Sequence, residues 1–321
     1  MRKTTISNLS EFVAEICKFN NTLIHNGAFA HEIALFRGHS KTSYQLIPYL
    51  GRGRHSAIDI SIFNEERNLI ALAKNELPEV FSNSLEPIEL LALLQHYGIP
   101  TRLLDVTENA LVALYFACCN NEDSDGEVII FKHNEMHVAN YPVTNAIADS
   151  YRLARGTYCS LSLFYKAAIQ QPYFLEQYSL TSVGFESDEE GGQWIAECCK
   201  KPIFVQTSIR TKRQETQKGR YILFPNRIEP EVMNGELMFA TVIDPIDDEN
   251  ECVLGKITVP KEAKNIILHD LSAFGIRKGY LFGDSIDEVC ADIVERCRYR
   301  VKGDSIQEIL DAKQKRQEIE S

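Results

Sequence analysis

The chain has 321 residues, of which 44% are hydrophobic and 25% are charged. That apolar content is sufficient for a sizeable core and excludes an intrinsically disordered chain. The formal net charge of −11 at pH 7 argues against general attraction to nucleic acid or anionic membrane, since phosphate binding needs a basic surface. The net charge does not exclude a local basic groove, and a nucleic-acid partner that binds such a groove is therefore not excluded either.

Cysteine usage points to a reducing compartment. The chain has nine cysteines, including the adjacent pairs Cys118-Cys119 and Cys198-Cys199, but it has no C-x-x-C pair, and no metal site is predicted. Since the N-terminus lacks a signal-like pattern, we expect reduced thiols and a cytoplasmic protein. No segment approaches the roughly 20 apolar residues that span a bilayer, so we expect no membrane association.

The first elements predict a helix and then a short strand. Asn8 or Ser10 can cap an amphipathic helix within residues 1–30. Ile33 to Gly38 predicts a strand that ends near Arg37, and the glycine after it would let a ligand approach the backbone, as in an anion clamp. The alternative is a structural ion pair of this arginine with a nearby carboxylate, Glu65, Glu66 or Asp105.

The stretch from Leu85 to Ala117 predicts two helices joined by a polar turn. Pro87 suits the first turn of a helix, and Gly98 can take the left-handed conformation that ends one. Asn109 can cap a second helix that is apolar on every side, as expected of a helix buried all round.

Six polar side chains lie between these helices: His96, Tyr97, Thr101, Arg102, Asp105 and Thr107. Charged groups beside a buried helix are unfavourable unless they are paired or bind something. Arg102 and Asp105 could satisfy one another, and a lone histidine is typical of a structural residue. The cluster as a whole favours a ligand site.

Gln95 to Ala117 reads QHYGIPTRLLDVTENALVALYFA and resembles the pattern Q-H-Y-G-x-P-T-R-L-L-D-W-T of the bacterial FRG domain. The family takes its name from a Phe-Arg-Gly triplet, which stands here at residues 36–38. Arg213 to Tyr221 and Ile257 to Phe282 are similar to later blocks of that family. His39 departs from it, because Gln is usual there.

The rest of the chain suggests one domain with helical additions. Residues 139–202 match no motif and are predicted as a helical insertion, with a flexible acidic loop at Glu186 to Gly192. The basic run Arg210 to Arg213 predicts an anion-binding site or a solvated hairpin tip. We predict an α+β fold, a single mixed domain with a small central sheet surrounded by helices, divided into an N-terminal helix (1–30), an FRG domain (31–300) and a helical tail (301–321).

The order of elements also resembles ADP-ribosyltransferase folds, and this weaker resemblance implies NAD as the cofactor. Arg37 with Gly38 and His39 would hold the pyrophosphate, Tyr97 would stack on nicotinamide, and His96 would act as acid or base. Gln217 occupies the place of the family's catalytic carboxylate but carries no charge. Glu215, Asp105 or a carboxylate from the unmatched segment 139–202 would have to supply that charge.

Three functions stay open. The first is an NAD-consuming or ADP-ribosyltransferase-like effector of a bacterial defence or toxin system, acting through His96, Asp105 and Gln217. The second is a metal-independent nucleotide or phosphodiester hydrolase with His96 or His39 as base and with phosphate-binding arginines, Arg37, Arg102 and Arg213. The third is a non-catalytic sensor or interaction module. The first two predict a small anionic ligand, bound with the help of Thr101 and Thr107, whereas in the third the polar cluster is only a buried network that holds the core together.

Overall fold

The computed structural model describes residues 2–25, 31–121, 123–134, 141–178, 185–208, 211–231, 234–283 and Cys290. In this part of the chain helices surround a mixed sheet, so the predicted α+β class is confirmed. The predicted tail 301–321 lies outside the described residues.

The strands, in chain order, are β1 (Arg2–Thr5), β2 (Glu32–His39), β3 (Leu103–Thr107), β4 (Gly126–Asn134), β5 (Tyr158–Ser160), β6 (Ile203–Val205), β7 (Gly219–Leu223), β8 (Arg227–Pro230), β9 (Leu237–Ala240) and β10 (Val253–Val259). Seven of them form a sheet in the order β1-β10-β4-β2-β3-β7-β6. Strands β5, β9 and β8 form a second, antiparallel sheet. In the larger sheet β1 runs parallel to β10, and the other neighbouring strands are antiparallel.

The α-helices are α1 (Leu9–Asn20), α2 (Glu66–Glu76), α3 (Pro87–His96), α4 (Ala110–Cys118), α5 (Tyr141–Ala148), α6 (Ser150–Leu153), α7 (Leu161–Ala168), α8 (Pro172–Tyr178), α9 (Asp188–Cys199), α10 (Lys212–Gln217), α11 (Lys261–Ala273) and α12 (Lys278–Leu281). Short 3₁₀ turns occupy Tyr49–Gly51 and Ile62–Glu65.

The helix boundaries around the polar turn follow the predicted signals. Pro87 lies in the first turn of α3, and Gly98 has φ of 85° just beyond its end. The Asn109 side chain accepts a hydrogen bond from the Leu111 amide and caps α4. The predicted buried helix is confirmed, since α4 contributes six buried residues to the core.

Side chains of β2 alternate between two hydrophobic cores. Phe36 belongs to the core that includes residues of α1, α4 and α11, whereas Leu35 packs with residues of β3, β4 and β7 on the other face. At Gly38 a Cβ atom would lie 1.9 Å from the carbonyl oxygen of Ala113. Glycine is therefore required here so that α4 can pack directly on the strand.

The acidic segment Glu186 to Gly192, predicted as a flexible loop, instead forms the start of α9. The Ser187 side chain caps this helix, and acidic residues in its first turn suit the positive end of the helix dipole. A Cβ at Gly191 would lie 2.3 Å from the Tyr165 ring of α7. The prediction is wrong because acidic and glycine residues, which are typical of loops, here serve a helix start and a close helix contact.

Other short elements also differ from the predictions. The basic segment predicted as a hairpin tip forms α10, which Thr211 caps, while Arg210 is outside the described residues. The insertion 139–202, predicted as helical, contains β5, and β1 precedes the predicted N-terminal helix. Strands of three or four residues are too short to show a two-residue periodicity in the sequence.

Candidate functional site

A cleft opens where β2 and β3 meet. The two strands pair at one position, Phe36 with Thr107, so the rest of each strand is free to diverge. The cavity beside this junction has a volume of about 330 Å³, which falls within the range of small-molecule sites. The predicted site residues that line it are Arg37, Gly38, His39, His96, Asp105, Thr107, Arg213 and Gln217.

The cleft is rich in positive charge. Four arginines line it, namely Arg37, Arg52, Arg213 and Arg220, whereas Asp105 is the one carboxylate among its lining residues. The whole chain, in contrast, has 45 acidic and 34 basic residues. A positive cleft in an acidic protein favours binding of an anion.

Two hydrogen bonds orient Arg37. Its Nε donates to Nε2 of His39 at 3.0 Å, and its Nη1 donates to the main-chain oxygen of Asp105. Burial lowers the pKa of Arg37 to about 10, with a further lowering from Arg52 and an opposing effect of Asp105, so the guanidinium stays protonated at neutral pH. Within the described part of the chain, its Nη2 makes no hydrogen bond. The group can therefore donate to a bound ligand.

His39 links Arg37 to a buried carboxylate. Its Nδ1 lies 3.3 Å from Oε1 of Glu127 on β4, and Nζ of Lys256 lies 3.3 Å from the same oxygen. Burial lowers the pKa of His39, and the charges of Arg37 and Lys256 lower it further, whereas Glu127 raises it. The imidazole is therefore neutral at neutral pH.

Asp105 lies on β3 with an exposed side chain, opposite Tyr221 of β7. Burial raises the pKa of the Tyr221 phenol, and the negative charge of Asp105 raises it further. Gln214 also donates a hydrogen bond to the Tyr221 hydroxyl group. Tyr221 is therefore a neutral phenol, and Asp105 supplies the negative charge on this side of the cleft.

Thr107 and Gln217 hold the wall of the cleft together. The Thr107 hydroxyl donates to the main-chain oxygen of Gln217 at 2.6 Å and accepts from the Asn109 amide at 2.9 Å. The Gln217 side-chain amide donates to the main-chain oxygen of Leu281 at 3.1 Å. These contacts tie the β3-α4 turn and α12 to the end of α10.

Arg213 stacks on an aromatic ring at the cleft. Its guanidinium carbon lies 4.6 Å from the centroid of the Phe282 ring, a cation–π contact that limits its freedom. Glu215, the alternative carboxylate in the sequence, is exposed and does not line the cleft.

Only some of the polar residues at the end of α3 line the cleft. His96 and Gln95 line the cleft, whereas Tyr97 is 60% exposed and does not. Thr101 is buried, and its hydroxyl donates to Oε1 of Gln95. Thr101 thus orients a lining residue without reaching the cleft itself.

Arg102 does not belong to the cleft. It is 1% exposed, its Nε and Nη2 donate to both carboxylate oxygens of Glu66, and its Nη1 donates to Oδ1 of Asn226 at 2.9 Å. The predicted pairing of Arg102 with Asp105 is not formed. Side chains alternate along β3, so Leu104 and Val106 lie in the core on one side of the sheet, whereas Asp105 lies on the other side.

Arg52, Arg220 and Glu127 belong to the site but were not predicted as site residues. Arg52 lines the cleft from the turn at residues 51–54, and Arg220 lines it from β7. Glu127 contacts His39 because these residues are paired in the register of β2 and β4. That register has no signal in a single sequence.

Among the described residues, no helix has the length and apolar character needed to cross a bilayer. In the same residues, no group of three or more histidine, cysteine, aspartate or glutamate side chains is arranged to hold a metal ion.

Residues 32–126 match the family model of the FRG domain. This range runs from β2 to the start of β4 and includes Arg37, His39, His96 and Asp105, whereas α10 and its Arg213 lie beyond it. Neither the curated proteins nor the solved structures contain a match to this chain. The family match thus covers residues 32–126, and it supports the resemblance to the FRG domain seen in the sequence.

Proposed function

We propose that the cleft binds a small anionic ligand of the nucleotide type. The observation that carries this proposal is the presence of four arginines around one carboxylate, in a chain whose net charge is −11. Guanidinium groups donate two parallel hydrogen bonds to phosphate oxygens and keep their charge on partial burial. Arg37, Arg52 and Arg213 are the proposed phosphate ligands.

The cleft also offers an apolar surface for the rest of such a ligand. Phe36, Val112, Ala113 and Phe116 line it from β2 and α4. Small-molecule sites combine an apolar lining with a few polar groups that fix orientation. This division suits a ligand with one phosphate-bearing end and one ring.

For the chemistry, we propose an NAD-consuming, ADP-ribosyltransferase-like reaction. The bond between the ribose C1′ and the nicotinamide nitrogen breaks, nicotinamide leaves with the electron pair, and an acceptor oxygen or nitrogen bonds to C1′ while its proton passes to a base. Asp105 is the proposed stabiliser of the cationic ribosyl transition state because Gln217 is neutral and its amide already donates to Leu281. His96 is the proposed acid or base. Such an activity would suit a defence or toxin system, the setting that the family resemblance implies.

The binding proposal is tested by calorimetry with NAD, ADP-ribose, ADP and inorganic pyrophosphate. We expect ADP-ribose to bind, and Arg37→Gln and Arg213→Gln each to weaken that binding about tenfold, the effect of one charged hydrogen bond. Arg67→Gln is the matched control, since Arg67 is an exposed arginine of α2 that does not line the cleft. Failure of all four probes to bind the folded protein would remove the proposal.

The chemical proposal has a separate test. Purified protein is incubated, with and without acceptor proteins, with NAD that carries a label in its adenosine half. Release of nicotinamide and transfer of the label to the acceptor are both followed. We expect turnover that Asp105→Asn lowers at least about a hundredfold, while ADP-ribose binding survives. Binding without turnover would instead favour a non-catalytic sensor.

Phosphodiester hydrolysis is the second candidate function, because His96 shares the cleft with the arginines. His39 is unsuited as its base, since the lone pair of Nε2 already accepts from Arg37. Release of AMP rather than nicotinamide from NAD, abolished by His96→Ala, would favour this reaction over ADP-ribosyl transfer.

A further inference from the structure

We infer that His39, backed by Glu127, is a positioning residue that holds Arg37 in its ligand-binding orientation through one fixed imidazole tautomer. This inference deepens the proposed function and rests on it for its effect on ligand binding. The tautomer itself is a property of the free protein. It can therefore be tested whether or not the cleft binds a nucleotide.

Hydrogen-bond chemistry fixes the tautomer. Arg37 Nε carries a hydrogen and can only donate, so Nε2 of His39, at 3.0 Å, must accept and cannot itself be protonated. The proton of a neutral imidazole then lies on Nδ1, which is 3.3 Å from Oε1 of Glu127 and donates to it. The carboxylate thus selects the tautomer that Arg37 requires.

The surroundings make this arrangement a rigid one. His39 and Glu127 are both buried, and the two residues are paired in the register of β2 and β4. Lys256 of β10 contacts the same Glu127 oxygen and is itself 2.7 Å from Asp248. A charged network behind the histidine therefore resists rotation of its ring.

A protonated His39 would no longer hold Arg37. Its Nε2–H would face the Nε–H of Arg37, so an attractive contact would become a repulsive one between two cations. The charged and titratable groups around His39 are Arg37 on its own strand, Glu127, Lys256 and, at a ring-centroid distance of 6.0 Å, Tyr44. Histidine is the side chain whose ordinary pKa allows a change of charge between about pH 5 and 8.

Glutamine can reproduce the same pattern without titrating. Its side-chain oxygen can accept from Arg37 while its NH₂ group donates to Glu127. His39→Gln is therefore the conservative variant, and His39→Leu, which keeps bulk but neither polar group, is the disruptive one.

The first experiment reads the tautomer without a ligand. Long-range ¹H–¹⁵N spectra of protein with ¹⁵N-labelled histidines, assigned to His39 by comparison with His39→Gln, should show protonated Nδ1 and unprotonated Nε2 at pH 7.5. On acidification, His39 should titrate below the usual histidine value of about 6.5. An Nε2-protonated tautomer, or an imidazolium at pH 7.5, would overturn the inference.

The second experiment measures binding of ADP-ribose, the probe, between about pH 5 and 8. In wild-type protein the affinity should fall on acidification as His39 protonates, whereas His39→Gln should keep near-wild-type affinity with a flatter pH profile. His39→Leu should bind about tenfold more weakly than wild type at about pH 8, and this difference should shrink on acidification. Equal affinity and equal pH profiles for all three proteins would refute the positioning role.

Thermal unfolding connects the two readouts and detects misfolded variants. The pKa of His39 is lowered by folding, so its contribution to stability is complete above the unfolded-state pKa and is lost as pH falls toward the folded-state value. Wild-type protein should therefore lose more stability than His39→Gln between about pH 7 and 5. If His39 is neutral with Nδ1 protonated but no probe binds, the proposed function fails while the structural inference stands.

Discussion

Two arginines near the polar turn show two ways of placing a guanidinium in this protein. Arg102 is fully buried and makes two hydrogen bonds to Glu66 and one to Asn226. Arg37 is only half-buried, makes two hydrogen bonds, and keeps Nη2 without a partner in the described residues. The hydrogen-bonding capacity of the Arg102 guanidinium is met within the protein. The Arg37 guanidinium is held in a fixed orientation but keeps a donor without a partner in the described residues.

This difference separates a core residue from a site residue. Burial and the nearby Arg52 lower the pKa of Arg37, which means that the fold disfavours its positive charge. An anionic ligand would offset the unfavourable effects of burial and of Arg52 on this charge. Charged groups with perturbed pKa values are common at functional sites. Removal of Arg102 should therefore reduce stability, and removal of Arg37 should reduce binding.

The largest expected effect is that of Arg102→Ala. It leaves the Glu66 carboxylate buried without its partner, and we expect a loss of about 3–5 kcal/mol in the free energy of unfolding, measured by urea denaturation. The double variant Arg102→Met with Glu66→Leu should recover part of this loss because no unpaired charge remains. A loss below about 1 kcal/mol for Arg102→Ala would show that water reaches Glu66 and that the two arginines are less different than their burial indicates.

Gly38→Ala should have the next largest effect. The new Cβ would lie 1.9 Å from the Ala113 carbonyl oxygen, so α4 must move away from β2, at an expected loss of about 1–3 kcal/mol. Gly219→Ala is the control, because its nearest contact would be an ordinary 3.6 Å. If Gly38→Ala kept full stability and lost only ligand binding, the glycine would serve close approach of a ligand rather than helix packing.

The sequence predicts the parts of the site that lie close together in the chain. Pro87, Gly98 and Asn109 mark the helix ends by local chemistry, and the apolar run of α4 predicts its burial. Which polar residues reach the cleft depends on contacts distant in sequence. Arg102 pairs with Glu66, 36 positions away, and His39 pairs with Glu127, 88 positions away.

Predictions from residue type were wrong or incomplete where the same residue type can serve two structural roles. Acidic and glycine residues at the start of α9 have the composition of a loop, but the acidic residues favour the first turn of a helix and Gly191 allows its close contact with α7. Gln217, predicted at a catalytic position, lines the cleft while its amide bonds to Leu281. Only the packing of α10 against α12 reveals that bond.

Arg37→Gln should change binding more than stability. Two hydrogen bonds are altered, but a disfavoured charge is also removed, so we expect the free energy of unfolding to change by no more than about 1 kcal/mol. ADP-ribose binding should weaken about tenfold. Arg37→Lys should keep the charge but lose most of this affinity, since an ammonium group cannot donate two parallel bonds. A stability loss equal to that of Arg102→Ala would assign Arg37 to the core instead.

The smallest expected effect concerns Glu108, which forms an ion pair with Arg220 at the edge of the cleft. The Glu108 side chain is 41% exposed and that of Arg220 is 11% exposed, so the ion pair is partly buried, and Glu108→Gln should lower the free energy of unfolding by about 1 kcal/mol, the upper end for surface pairs. The same change removes a negative charge beside the cleft and should tighten ADP-ribose binding about twofold to threefold at low ionic strength. The gain should shrink in about 1 M salt, where the screening length is about 3 Å. Weaker binding by Glu108→Gln would mean that this carboxylate holds Arg220 in place for the ligand, as His39 is proposed to hold Arg37.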